Sequence, residues 1–130
     1  MPKLIMSTDR PNKTQLELHK TRRTFEHNLK VMGATYEVCE GSWEGEREQS
    51  YMITLAPHVS FSALKALAFD HYKKDAVLRV STYGGASLHH NNGTIDGVGT
   101  FTRVDTKPTN DCYTQSFKTG NIYVTVSLNT

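Results

Sequence analysis

Residues 35–56 read TYEVCEGSWEGEREQSYMITLA, two segments of strand character separated by an acidic, glycine-containing one. TYEVCE (35–40) alternates between polar and apolar side chains, as a half-buried strand does. SYMITLA (50–56) is mostly apolar and has the length of a strand. Because glycine and polar residues between two such segments favour a reversal of the chain, the pattern predicts a β-hairpin with a long loop.

Helices are predicted on both sides of this hairpin. KTQLELHKTRRTFEHNLKVMG (13–33) has apolar side chains at helical spacing, and Arg22 is the polar member of that face. Asn12 is suited to cap the start of the helix, and Gly33 is suited to follow its end. FSALKALAFDHYKK (61–74) shows a second apolar stripe and predicts a second helix.

Two further strands complete a compact arrangement. KLIMS (3–7) precedes the first helix and DAVLRVS (75–81) follows the second, so the element order is β-α-β-β-α-β. This order predicts an α+β, ferredoxin-like sandwich with helices on one face of an antiparallel sheet. We expect a single domain over 1–130, with a core from about 3 to 104 and an additional C-terminal β-hairpin over about 112–128.

The composition excludes several functional classes. The net charge is +2 and the basic residues are scattered, so no nucleic acid partner is expected. The six histidines match no zinc pattern, and Cys39 and Cys112 are predicted to be buried, reduced thiols. The first residues contain no long apolar run, so we expect no membrane partner and a cytoplasmic protein. A chain of 130 residues has little room for a deep private pocket, which favours a ligand site between subunits.

The acidic segment between the hairpin strands is the candidate site. Strand alternation puts Glu46 and Glu48 on one side, and Glu48 with Ser50 lies nearest the apolar strand. A carboxylate beside Trp43, the only tryptophan, could bind a cationic small molecule through charge and through the ring face. The alternative is a solvated turn in which Trp43 covers the hairpin as a small apolar lid.

Four stretches of the chain resemble the small phage-encoded S-adenosylmethionine lyases, which have long been called hydrolases. They are the Gly33 and Tyr36 pair that closes the first helix, GSWEGEREQS, ALAFDHYKKDAVLRV and GASLHHNNGTIDG. Their order and spacing match from about Leu4 to Val104.

This resemblance implies a PII-like subunit, a homotrimer with inter-subunit sites and S-adenosylmethionine as substrate, with no cofactor. It also implies Glu48 as the key acidic residue and an aromatic residue, usually tyrosine, at the position of Trp43. In such a site Glu48 would anchor the substrate, and Ser7 and Thr8 could hold its adenine or amino-acid end through their backbone groups. The expected reaction is cleavage to methylthioadenosine and homoserine lactone, which in a phage would serve anti-restriction.

A non-enzymatic reading stays open beside this one. A PII-like protein can bind a small molecule as a sensor or can inhibit a host protein. Trp43 in place of tyrosine favours that reading, because tryptophan lacks the hydroxyl.

Overall fold

The structure is a computed structural model that describes residues 1–43, 46–108 and 112–126, with Trp43 described by its backbone alone. The described elements are eight strands, two α-helices and a short π-helical continuation of the second helix. They are β1 Lys3–Met6, α1 Gln15–Val31, β2 Tyr36–Trp43, β3 Glu46–Thr54, α2 Phe61–Ala66 with its π-helical continuation Leu67–His71, β4 Ala76–Val80, β5 Gly85–His90, β6 Ile95–Val104, β7 Tyr113–Ser116 and β8 Ile122–Val126.

The central hairpin is longer than predicted. β2 and β3 pair through the acidic stretch, from Tyr36 opposite Ile53 to Trp43 opposite Glu46. The predicted long loop is therefore wrong, because only positions 44 and 45 separate the two strands. The extended pairing gives the acidic side chains of β3 fixed positions on a strand.

Helix α1 begins with a capping box formed by Thr14 and Glu17. Thr14 accepts from the backbone of Glu17, and the Glu17 carboxylate accepts from the backbone of Thr14. The predicted cap, Asn12, instead lies in a turn with φ +62°. Gly33 follows the helix end with φ +71°, as predicted. Among the described residues, we find no helix with the length and apolar character needed to cross a membrane.

The predicted ferredoxin-like, PII-like sandwich is wrong, because the sheet closes on itself. All eight strands pair antiparallel with both neighbours in the order β1-β3-β2-β7-β8-β6-β5-β4, and β4 pairs back to β1. The C-terminal strands are part of this barrel: β7 pairs with β2, and β8 pairs with β6. A closed barrel has no free sheet edge, which removes the unpaired backbone groups that an open sandwich would leave.

A β-bulge in β6 helps the sheet to close. Ala86 of β5 is opposite Gly99, but the next residue, Ser87, is opposite Gly97, so Val98 is extra. Bulges of this kind bend a strand and increase its twist, which curves a sheet toward closure. Gly99 has φ +110°, a conformation that other residues rarely adopt. The two glycines that interrupt this strand in the sequence, Gly97 and Gly99, therefore lie at the bulge that curves the sheet.

We expect Gly99→Ala to lower the free energy of unfolding by about 1–3 kcal/mol, because a Cβ is strained at this φ. The matched control is Gly97→Ala, since a Cβ at Gly97 meets nothing within 4 Å. Urea unfolding followed by circular dichroism measures both. Equal losses for the two variants would contradict the role assigned to the bulge.

The two faces of the sheet build two cores. Leu4 and Met6 of β1 pack with Phe25 and Leu29 of α1 outside the barrel. Ile5, between them, points to the opposite face and joins a cluster inside the barrel, completed by Cys39, Met52, Val80 and Ala86. An eight-stranded barrel is just wide enough for side chains to fill.

Both cysteines are free thiols, as predicted, but only Cys39 is buried, while Cys112 is half-buried. Burial inside the barrel, and secondarily Glu37, raises the pKa of Cys39 to about 12. Cys39 is therefore protonated at neutral pH.

Candidate active site

The segment that follows β1 is fixed to α1 by a two-pronged ion pair. Arg22 donates from Nε to Asp9 Oδ1 at 2.9 Å and from Nη2 to Asp9 Oδ2 at 2.6 Å. Asp9 is almost fully buried, and its carboxylate raises the pKa of Arg22. This pair explains why a charged residue occupies the apolar face of α1.

The same segment is also bonded to β3 at Gln49. Asp9 Oδ2 accepts from the backbone N–H of Gln49 at 3.2 Å. Ser7 Oγ donates to the Gln49 carbonyl at 2.7 Å and accepts from the Asp9 N–H at 3.1 Å. Residues 7–9 therefore lie directly against the part of β3 that carries the predicted site.

Glu48 has a cationic partner that the sequence analysis missed. Lys74 Nζ lies 3.2 Å from Glu48 Oε2 and also donates to the Asp9 carbonyl. The Glu48 side chain is 46% exposed and the Lys74 side chain is 16% exposed, so the carboxylate is both held and accessible. The second predicted helix, 61–74, ends in two lysines. These lysines were the signal in the sequence for a cation near the site. Lys73 adopts φ +56° at that point, and Lys74 follows directly after it.

Ser50 lies on the same face of β3 as Glu48, because they are two residues apart on one strand. Ser50 is buried, and its Oγ is without a hydrogen-bond partner among the described residues. Gly41 is opposite Glu48, and a Cβ there would come within 3.2 Å of Ser50 Oγ. The glycine therefore leaves space beside a buried hydroxyl that is available to donate or accept. Thr8 presents a second buried hydroxyl without a partner among the described residues.

The tip of the hairpin carries the remaining predicted residues. Glu46 is exposed and its backbone pairs with that of Trp43. Glu46 follows the same alternation as Glu48, since the strand extends back that far. The side chain of Trp43 lies outside the described part of the structure, so the prediction of an aromatic wall stays a prediction.

A polar network beneath β3 fixes the strand to α1. Gln49 Nε2 donates to Tyr51 Oη at 3.2 Å, and Tyr51 Oη donates to Glu26 Oε2 at 2.9 Å. Burial raises the pKa of Tyr51, and its hydrogen bond to Glu26 raises it further. Gln49, between Glu48 and Ser50, is thus held through both its backbone and its side chain.

Four of the predicted residues therefore lie at one end of the barrel wall: Glu48, Ser50, Ser7 and Thr8. Asp9, Arg22 and Lys74 were not predicted as site residues, and they hold this end together. Arg22 is the polar member of an otherwise apolar helix face, and that mismatch is a sequence signal for a buried partner.

Two open clefts, of about 230 and 210 Å³, lie at the opposite end of β1 and β3. Both are lined by Lys3, Glu37 and Met52, and neither is lined by a predicted site residue. The Glu48 end differs from these clefts in its ion-paired carboxylates and in the buried hydroxyls of Ser50 and Thr8, which have no partner within the described part of the chain.

Comparison with known proteins identifies a family for this chain. A family model described as the S-adenosylmethionine lyase family matches residues 4–126. A search of curated proteins finds no match. The family match runs from β1 to the end of β8 and confirms the resemblance seen in the sequence. Because it spans nearly the whole chain, the chain belongs to the S-adenosylmethionine lyase family.

Proposed function

We propose that the chain cleaves S-adenosylmethionine by intramolecular attack, giving methylthioadenosine and homoserine lactone. The observation that carries the proposal is the family match over residues 4–126, which supports lyase activity on S-adenosylmethionine in general. The products and the residue roles below are inferred from the chemistry of the substrate and the groups around Glu48.

The reaction needs no external nucleophile or base. A carboxylate oxygen of the substrate attacks its own γ-carbon while the bond from that carbon to sulfur breaks. The bonding pair goes to sulfur, so the sulfonium becomes the neutral thioether of methylthioadenosine and the carboxylate becomes the lactone ester. Two opposite charges cancel along this path, and a site drier than bulk water favours the transition state over the separated charges.

The task of the protein is then to hold the methionine chain folded for attack. Intramolecular alignment can contribute up to roughly 7–11 kcal/mol in the best cases. Glu48 binds the α-ammonium group, which leaves the α-carboxylate free to turn toward the γ-carbon. Lys74 orients the Glu48 carboxylate, since it is fixed between that carboxylate and the Asp9 carbonyl. Lys74 is therefore a positioning residue.

The other predicted residues complete the substrate contacts in this proposal. The Ser50 hydroxyl and the backbone beside Ser7 and Thr8 bind polar groups of the adenosine or amino-acid end. Trp43 covers the sulfonium or the adenine, and Glu46 adds negative charge at the rim. The buried Oγ of Ser50, which has no hydrogen-bond partner in residues 1–43, 46–108 and 112–126, supports this assignment, because such a hydroxyl is costly unless a ligand or water satisfies it.

We further propose that the site is completed between subunits of a homotrimer. The 46% exposure of the Glu48 side chain supports this, because one chain leaves its carboxylate open to water. A neighbouring copy would exclude that water. Sedimentation equilibrium tests the assembly, and a monomer with full activity would contradict it.

The test of the reaction is the first product formed in heavy-oxygen water. A lyase yields unlabelled lactone before any homoserine appears after rapid quenching. Early labelled homoserine without lactone would make the chain a hydrolase with Glu48 as general base. Absence of methylthioadenosine would favour the non-enzymatic reading, in which the protein binds a small molecule or inhibits a host protein.

The biological role that we propose is anti-restriction in a phage infection. Removal of S-adenosylmethionine from the host cytoplasm would stop restriction and methylation systems that depend on it. The test is to express the chain in a restricting host. Expression of the native chain should lower the restriction of a challenge phage. Expression of the Glu48→Gln variant should leave restriction unchanged.

A further inference from the structure

Basic side chains gather around one aromatic ring where α2 lies beside β4 and β5. Lys65 Nζ lies 5.1 Å from the centre of the Phe61 ring, and Arg79 Cζ lies 5.2 Å from it. The His89 ring is centred 5.1 Å from the same ring, at 85° to its plane. We call Lys65, Arg79, His89 and the adjoining Ser87 the basic cluster.

The strand members of the basic cluster point outward from the barrel. Arg79 is opposite Leu4, whose side chain packs against α1 outside the barrel, so Arg79 is on that outer face. Ser87 is opposite Arg79, and His89 follows two positions along the same strand. On the other side of Ser87 lies Gly97, where a Cβ would meet nothing within 4 Å. The face beside Ser87 is therefore open.

The two permanent charges of the basic cluster lack a counterion. Neither Lys65 nor Arg79 forms an ion pair or a side-chain hydrogen bond within residues 1–43, 46–108 and 112–126, and Arg79 Nε is buried without a partner. Both side chains are half-buried, so water screens their charges incompletely. The face of Phe61 attracts each cation, but two cations beside one ring repel each other. An anion bound between them would relieve that repulsion.

Ser87 and His89 add a hydrogen-bond donor to this charge. His89 is 9% exposed, and its Nδ1 is buried without a partner in the described part of the chain. Its Nε2 lies 3.3 Å from Ser87 Oγ. In one neutral tautomer the Ser87 hydroxyl donates to Nε2, and the Nδ1–H is left over. In the other, Nε2–H donates to Ser87, and the hydroxyl hydrogen is left over. Either tautomer therefore leaves one donor for an acceptor oxygen.

The surroundings of His89 confirm the sign of the charge that is missing. Burial lowers the pKa of His89, and Lys65, Arg79 and His90 lower it further. The charged groups that act on His89 within the described residues are thus all basic. A group with several acceptor oxygens and a negative charge complements every member of the basic cluster.

We propose that the basic cluster binds a phosphate group, either as free phosphate or as the phosphate monoester of a small molecule. The guanidinium of Arg79 donates to phosphate oxygens, and Lys65 supplies a second charge on a flexible stem. The donor left over by Ser87 and His89 binds a further oxygen. Donors on a helix and on two strands suit a tetrahedral group better than a planar carboxylate. The inference is independent of the proposed function, because no group assigned to substrate binding takes part.

The first test is calorimetric titration with inorganic phosphate, with sodium chloride holding the ionic strength constant. The parent chain should bind phosphate, and Arg79→Gln should raise Kd about tenfold or more. The matched control is Arg103→Gln, since Arg103 is an exposed arginine on a neighbouring strand outside the basic cluster. Absence of binding to the parent, or equal effects of the two variants, overturns the proposal.

A second variant covers the case in which Arg79→Gln disturbs the barrel. Lys65→Gln changes a helix side chain that is half-buried, and it should also raise Kd for phosphate severalfold. Thermal melting of each variant shows whether the fold is intact. A well-folded Lys65→Gln chain that binds phosphate as the parent does overturns the proposal.

Nuclear magnetic resonance locates the bound phosphate. Phosphate should raise the pKa of His89, because a nearby negative charge favours the protonated imidazole. His19, which is exposed on α1, should titrate identically with and without phosphate. Equal changes at both histidines, or no change at His89, would overturn the assignment of the site.

Three probes identify the source of the phosphate group. Tighter binding of glycerol 3-phosphate than of inorganic phosphate supports a small-molecule monoester, and the reverse order supports the free ion. The third probe is a single-stranded oligonucleotide with a 5′-hydroxyl, which carries phosphodiesters alone. If the oligonucleotide displaces both smaller probes and binds more tightly than either, the basic cluster belongs to a nucleic-acid interface and the proposal is overturned.

Discussion

Replacing Glu48 with glutamine is expected to lower kcat/KM for S-adenosylmethionine cleavage by about a hundredfold. Glutamine keeps the size of the side chain but removes the charge that binds the substrate ammonium. A hydrogen bond between charged groups contributes roughly 1.5–3 kcal/mol, and each 1.36 kcal/mol is about tenfold in rate. Methylthioadenosine formed per unit time, separated by chromatography, gives the rate constants.

The fold should survive this substitution. Glu48 is 46% exposed, and exposed ion pairs are typically worth less than about 1 kcal/mol of stability. The matched control is Asp105→Asn, since Asp105 is an exposed carboxylate outside the site and its loss should leave the rate unchanged. A fully active Glu48→Gln protein would remove Glu48 from the mechanism.

Asp9→Ala is expected to lower the free energy of unfolding by about 3–5 kcal/mol. The substitution leaves Arg22 without its carboxylate, and its side chain is only 23% exposed. Breaking one partner of a buried pair is far more costly than the pair itself is stabilising, because a charge then stays buried and unpaired. The backbone N–H of Gln49 also loses its acceptor, so turnover should fall together with stability.

Urea unfolding measures this loss against a surface pair. Lys107→Ala breaks the partly exposed contact between Lys107 and Glu40, 3.9 Å long, and should cost less than about 1 kcal/mol. The double substitution Asp9→Ala with Arg22→Met should recover part of the loss, because no charge is then left unpaired. If Asp9→Ala costs no more than Lys107→Ala, the pair does not fix the segment after β1.

The local elements could be predicted because their signals are local. Strand alternation and helical spacing depend on neighbours within a few residues, and Gly33 marks the end of α1 through its own backbone freedom. The prediction of Asn12 as the helix cap was wrong, although the correct signal was also local. The T-x-x-E pattern of Thr14 and Glu17 was present in the sequence and outweighs a lone cap residue.

Closure of the sheet could not be predicted in this way. Strands β2 and β4 pair with β7 and β5 through backbone hydrogen bonds. Backbone hydrogen bonds depend little on which side chains the strands carry, so the sequence does not reveal these pairings. The glycines at 97 and 99 interrupt the strand in the sequence, and only the register across β5 and β6 reveals Val98 as an extra residue.

The sequence by itself determined the elements, the polar place of Arg22 on α1 and the acidic face of β3 that carries Glu48 and Ser50. It also carried the family resemblance, which the match over residues 4–126 confirms. Only the tertiary structure decided that the sheet is a closed barrel, that Lys74 holds Glu48, and that Asp9 holds Arg22 and Gln49 together. The reason is physical: periodicity is set by bonds along the chain, whereas the side-chain contacts of Asp9 with Arg22 and Gln49 and of Lys74 with Glu48 join residues 13 to 40 positions apart. The strand pairs that close the barrel join residues still farther apart, such as Lys3 and Val80. Such contacts form only once the chain has folded.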